Sequence, residues 1–196
     1  MKLYVARHGQ TDYNQQKKFY GSSDVPLNAN GRKEAAKLAD KFKALPLELI
    51  VTSDLKRARQ TARTIIATHP ESDSQLSSKL EESHFGAWEG LNADEVQATF
   101  PEDWQNWLDD PFRVSPTNGE NFQNFNTRVL AGLKNILSDA ASNDHVLLVA
   151  HLGVLRVINQ SFFPESNFWE QKFPAGTYSV YQLDEVGRCV GVVYDV

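Results

Sequence analysis

A chain of 196 residues with 41% hydrophobic and 23% charged residues suffices for one substantial core and is short for two. Its 20 Lys and Arg against 25 Asp and Glu give a formal charge of −5, with no basic block to hold a nucleic acid. The longest apolar run, Val146 to Ala150, is far too short to span a bilayer, and no basic-then-apolar leader opens the chain. The expectation is therefore one domain over 1–196 in the cytoplasm, bound to neither nucleic acid nor membrane. The lone Cys189 has no intrachain disulfide partner and reads as a small core residue.

In chain order, Tyr4 and Val5 favour a strand, and Gly9 lets the chain turn sharply where it ends. Arg7 and His8 then stand at the carboxyl end of that strand, where open α/β sheets hold their ligands. Thr11 to Pro26 is a polar and aromatic loop over the site, with Asn14 placed to help bind an anion. Asn28 is the expected cap of a helix whose stripe is Ala35, Leu38, Ala39 and Phe42, closing near Pro46. Leu47 to Thr52 is a second strand, and strand, helix and strand in succession predict a right-handed crossover into a parallel sheet.

Ser53 or Asp54 is expected to cap the next helix, which buries Ala58, Thr61, Ala62 and Ile65 and closes by a surface His69. Arg57 falls in its first turn, off that stripe, beside free backbone N–H groups and the positive end of the dipole. An arginine there disfavours the helix until an anion arrives, whereas Arg59 and Arg63 read as solvated charges. Between Leu80 and Gly90 the alternation breaks: Glu81, Glu82 and Glu89 share a loop with Phe85 and Trp88, aromatics able to pin it and hold one carboxylate at a fixed depth. Leu91 to Asp110 reads as one or two short helices carrying Trp104 and Trp107, covering the cleft. Their rings serve packing or substrate stacking.

A turn at 115–120 feeds a long helix with Phe122, Phe125, Val129, Leu133 and Ile136 on one face. His145 to Ala150, nearly all apolar, is the expected central strand, buried on both faces. It runs into His151-Leu152-Gly153 and a helix from Val154 to Phe162, a second histidine at a strand end beside helix N–H groups that suit phosphate. Tyr178 to Leu183 and Cys189 to Tyr194 complete the sheet as an antiparallel hairpin at one edge.

Arg7, His8, Arg57, Glu82 and His151 can together do phosphoryl chemistry. Two guanidiniums and a helix N-terminus match phosphate oxygens in a way lysines do not. Crowded by cations, His8 is pushed towards its neutral form, with one ring nitrogen free to attack phosphorus and the other donating to backbone. Glu82 protonates the leaving oxygen and later activates water, and His151 steadies charge on the equatorial oxygens. His8, His69, His84, His145 and His151 lack close metal-ligand spacing. His84 reads as a partly exposed loop residue and His145 as structural.

The segments Arg7-His8-Gly9-Gln10-Thr11 with Asn14, Ser53-Asp54-Leu55-Lys56-Arg57-Ala58 with Thr61-Ala62, Leu80-Glu81-Glu82 with Phe85-Gly86-Ala87-Trp88-Glu89-Gly90, and His151-Leu152-Gly153-Val154-Leu155-Arg156 resemble, in family order, the histidine phosphatase superfamily of phosphoglycerate mutase-like proteins. The resemblance implies a three-layer α/β sandwich, phosphoglycerate mutase-like, with a mostly parallel sheet and an antiparallel edge. It implies no metal and no cofactor, His8 as the phosphorylated residue with Arg7, Arg57, Glu82 and His151 in the roles above, and Asn14 as a phosphate contact. The family commonly carries Gly after its second histidine; here Leu152 stands there, expected to keep its backbone N–H on the anion while crowding the rim.

The chain lacks the long insertion that resembles a lid in glycolytic mutases, which favours hydrolysis over phosphoryl return. Pro116-Thr117-Asn118-Gly119-Glu120 with Phe122-Gln123 and Phe125 looks like the α-ribazole phosphatases of cobalamin nucleotide-loop assembly. The alternatives are a broad-specificity phosphatase of small metabolites, a phosphoglycerate mutase and a non-catalytic phospho-ligand module. The expected partner is a small phosphomonoester, with a homodimer left open. Residues 84–120 are expected to form a cap-like insertion, and specificity is assigned to Trp88, Trp104, Trp107 and the Leu152 rim.

Overall fold

The computed structural model describes residues 1–194, so the last two positions of the expected 1–196 domain lie outside the described residues. Six strands form one sheet in the order β3-β2-β4-β1-β5-β6: β1 (Lys2–Arg7), β2 (Leu49–Thr52), β3 (Asp73–Leu76), β4 (His145–Ala150), β5 (Tyr178–Leu183) and β6 (Cys189–Val193). The first four run parallel, and β5 and β6 are antiparallel at one edge, as the hairpin pattern predicts. The sixth strand ends at Val193, one residue short of the expected Tyr194.

Strand alternation divides the core into two clusters, one on each face of the sheet. Leu3, Val5, Val146 and Leu148 pack under α6 (Phe122–Asp139) and α7 (Leu152–Phe162) with Val129, Leu133 and Val154. Tyr4, Ala6, Leu147 and Val149 pack under α2 (Ala29–Phe42) and α3 (Lys56–Ile66) with Leu38, Phe42, Ala58 and Ile65. Helices on both faces of a mostly parallel sheet make the three layers expected. Asn28 caps α2 through Gly31 N–H, and the predicted stripes of α2, α3 and α6 are buried, save that Phe122 is only partly so.

Two local expectations are corrected, and one strand lies where the sequence predicts none. The cap of α3 is Leu55, with no side-chain cap bond; Asp24, from the loop after β1, accepts from Lys56 N–H instead, a contact with no sequence-local signature. His69 is 8% exposed rather than on the surface, because its ring nitrogens reach the Ile65 carbonyl at 2.9 Å and those of Phe42 and Leu45 at 3.1 Å, tying α3 to the end of α2. The polar edge strand β3, exposed throughout, gives no hydrophobic alternation and was not anticipated. The 11–26 loop holds the short helix α1 (Asp12–Gln15), capped by Thr11. The two short helices expected within 91–110 are α4 (Ala93–Thr99) and α5 (Pro101–Asp109).

Register sets the level of the site. Arg7 pairs with Ala150, and Thr52 with Val149, so β1, β2 and β4 end together and release His8, Ser53 and His151 side by side.

Candidate active site

His8 is 2% exposed, and its Nδ1 lies 2.7 Å from the Gly9 carbonyl. A carbonyl only accepts, so Nδ1 carries the proton and Nε2 keeps its lone pair. Burial, then Arg57 and Arg7, hold the imidazole well below its ordinary pKa, which keeps it neutral. The turn behind it requires glycine: a Cβ at Gly9 would stand 2.4 Å from the Gly31 oxygen, and Gly9 N–H donates to Thr61 Oγ1 at 3.1 Å.

Arg57 occupies the predicted first turn of α3 but is wholly buried. Its Nη1 donates to Ser23 O and its Nη2 to Gly21 O, each at 2.8 Å, its Nε donates to His151 Nδ1 at 3.2 Å, and its guanidinium lies 4.6 Å from the Tyr20 ring centroid. Glu89 supports the gripping loop, its carboxylate accepting from the N–H groups of Ser22 at 2.9 Å, Ser23 at 2.7 Å and Phe85 at 3.1 Å. Burial raises the Glu89 pKa, but these bonds and the Ser23 hydroxyl outweigh it and hold the carboxyl below its ordinary range. Of the three loop carboxylates, Glu89 thus holds the backbone and Glu82 lines the cavity.

The buried His151 ring lies 5.1 Å from that of His8, centroid to centroid. Since Nδ1 accepts from Arg57, Nε2 carries the proton and donates to Ser53 Oγ at 2.8 Å. Burial, then Arg57, His8 and Arg7, keep it neutral. Both ring nitrogens are therefore engaged by protein.

Arg7 donates from Nη1 to Phe173 O at 2.8 Å, and its buried Nε has no partner among the described residues. A buried guanidinium N–H left unpaired is costly, and an anion relieves it. Glu82 accepts from Gly153 N at 2.9 Å and from Ser83 N at 3.1 Å. A Cβ at Gly153 would meet Glu82 Oε1 at 2.4 Å, so that glycine makes room for the carboxylate, which takes one N–H of the α7 start expected for phosphate.

Arg7, His8, Asn14, Arg57, Glu82 and Leu152 line one cavity of about 250 Å³. Asn14 is oriented by accepting from Thr11 N at 3.0 Å. Trp107 lines it, as do Phe122, Phe168 and Trp169, whereas Trp88 and Trp104 do not. Trp88 is fully buried and donates from Nε1 to Thr117 Oγ1 at 3.2 Å, as a residue that pins its loop does, and Trp104 packs on it, so of its two readings packing holds; neither ring is on the cavity wall to which specificity was assigned. His84 is exposed and absent from the cavity wall, and His145 bonds the Tyr4 hydroxyl at 2.9 Å, both as read. Tyr20, Phe168 and Trp169 also line the cavity with no role expected from the sequence, and Arg156 does so beyond its place at the end of the His151 segment. An adjacent Phe168-Trp169 in an otherwise polar stretch was the available signal.

The sequence profile of the histidine phosphatase superfamily (branch 1) matches residues 3–195. The chain belongs to this superfamily. As a member it is a phosphatase. It is 29% identical over 187 residues to the adenosylcobalamin/alpha-ribazole phosphatase of Escherichia coli (strain K12), covering 94% of this chain and 91% of that protein. It is 28% identical over 187 residues to phosphoserine phosphatase 1 of Hydrogenobacter thermophilus, covering 94% and 88%. Among solved structures, the alpha-ribazole phosphatase from Shigella flexneri superposes with a TM-score of 0.90 at 27% identity, covering 100% of this superfamily member and 95% of that chain. No helix of the described residues is long and apolar enough to cross a membrane.

Proposed function

We propose that this phosphatase hydrolyses a small phosphomonoester in two displacements at His8. The observation that carries the reading is the neutral His8, with a free Nε2 lone pair, sharing a cavity with the unpaired buried Nε of Arg7. In the first step Nε2 attacks phosphorus, the P–O bond to the leaving group breaks, and Glu82 gives its proton to the departing oxygen. In the second, Glu82 takes a proton from water, whose oxygen attacks phosphorus, breaks the P–N bond and releases inorganic phosphate. Arg7 and Arg57 meet the phosphoryl oxygens, and Asn14 and the Leu152 N–H add contacts. His151 acts by holding Arg57, and the 84–120 segment caps the cavity.

The substrate of this reading is α-ribazole phosphate. Two relatives bear that activity in their names. The segment that carries the second resemblance contributes Pro116, Glu120, Phe122 and Phe125 to the cavity wall. Specific activity over a panel of α-ribazole phosphate, phosphoglycerates and sugar phosphates tests it: the expected result is a clear maximum on the first, and equal slow rates on all defeat the assignment. Acid-quenched labelling tests the mechanism, which requires an acid-labile phosphoenzyme lost in His8→Ala.

A further inference from the structure

Trp169 is 41% exposed, yet it is anchored at both ends of its peptide: its N–H donates to Asn167 Oδ1 at 3.0 Å and its carbonyl accepts from Arg156 Nη2 at 3.0 Å. Arg156 also grips Gln171 O at 3.0 Å, and its guanidinium lies 5.6 Å from the ring centroids of both Phe168 and Trp169. Trp107 meets Trp169 edge to face at 5.8 Å and 79°. All four side chains line the cavity that contains His8. Phe112 and Phe168 pack on the Trp169 ring at 5.8 Å and 5.0 Å, which accounts for its buried part; the exposed part, held rigid on the cavity wall, is preorganised for a flat apolar group.

We propose that Trp169, with Trp107 beside it and Arg156 behind it, forms the subsite for the leaving group and selects phosphomonoesters whose leaving group carries an aromatic ring. The phosphoryl group goes to Arg7 and Arg57, so the ring stacked on Trp169 belongs to the part of the substrate that departs first. The inference deepens the proposed substrate reading, since the departing part of α-ribazole phosphate carries an aromatic base, and it rests on the proposed reading of His8 in naming that part as the leaving group. Arg156 is a positioning residue: it touches the wall, not the reacting atoms.

The test compares benzylphosphonate with cyclohexylmethylphosphonate, ligands of like size and charge that need no turnover, by calorimetry on the native chain and on Trp169→Ala and Trp169→Phe. The expected result is about fivefold tighter binding of the aromatic ligand, lost in Trp169→Ala and largely kept in Trp169→Phe. Equal affinities in the native chain, or a preference that survives Trp169→Ala, overturn the subsite. Steady-state kcat/KM on benzyl and cyclohexylmethyl phosphates must show the same ratio. Absence of a phosphoenzyme in the native chain defeats the His8 mechanism, whereas the phosphonate ratio judges the subsite by itself.

Discussion

The guanidinium Nε of Arg57 donates to Nδ1 of His151 across 3.2 Å, in a place where neither side chain reaches solvent. The bond requires a neutral His151, because a proton on Nδ1 would set two cations against each other with no water between them. It also sends the imidazole proton to Ser53 and aims the arginine fork at the carbonyls of Gly21 and Ser23.

Stability falls below neutral pH as a consequence. His8 and His151 both have folded-state pKa values far under their ordinary value near 6.5, so below that pH the unfolded chain binds protons that the folded chain refuses. Unfolding free energy is then flat in this respect above about pH 6.5 and declines as pH drops, by up to about 1.4 kcal/mol per pH unit for each histidine. Urea denaturation between pH 7.5 and 5 measures the slope. His8→Gln is expected to remove about half of it, and an unchanged slope would show that His8 is not held neutral.

Gly153→Ala moves Glu82, the general acid of the proposed mechanism, without removing it. The new Cβ needs the space that Glu82 Oε1 occupies at 2.4 Å, and the carboxylate loses its bond from Gly153 N–H. General acid–base catalysis is worth about 10²–10⁴-fold, so kcat/KM, which stops at formation of the phosphoenzyme and leaves out the later water-activating role of Glu82, should fall by about 10² on alkyl phosphates and far less on p-nitrophenyl phosphate, whose leaving oxygen needs little protonation. The ratio of the two substrates is the readout; an equal loss on both assigns the damage to the backbone of α7.

Much of this was legible in the sequence, and the division has a physical cause. Strands β1 and β4, the helix stripes and the residues Arg7, His8 and Arg57 announce themselves through periodicity and position at element ends, whereas Glu82, in an aperiodic loop with two other carboxylates, is singled out by the family resemblance. Glu89, Asp24 and the Phe173 carbonyl act across long sequence separations, on backbone N–H or guanidinium groups, and any loop residue can supply such a bond. Likewise Trp88 and Trp107 look alike in a one-dimensional pattern. Only packing makes the first a buried strut and the second part of a wall.

Glu89→Gln should show how remote that support is. The carboxylate accepts from three backbone N–H groups and from the hydroxyls of Ser22 and Ser23, more acceptor work than an amide oxygen can do. Loosening 22–23 frees the carbonyl that fixes Arg57, so KM should rise about tenfold with a loss of about 1–3 kcal/mol in stability. Kinetics and denaturation on the same preparation check both, and intact KM would confine Glu89 to folding.

Arg57→Lys is the sharpest test of the cation geometry, because it keeps the charge and discards the fork. An ammonium cannot serve Gly21 O, Ser23 O and His151 Nδ1 from one plane, so at least one buried acceptor is left bare, at a cost of about 1–3 kcal/mol, and the Tyr20 ring loses its planar neighbour. Activity should fall by about 10² or more, since one lost preorganised donor to developing charge commonly costs that much. The nitrogen-15 shifts of His151 distinguish the causes: loss of the Nδ1 acceptor bond predicts a tautomer shift or protonation at pH 6. A lysine variant with native activity and an unchanged His151 spectrum would show that charge alone suffices at this position.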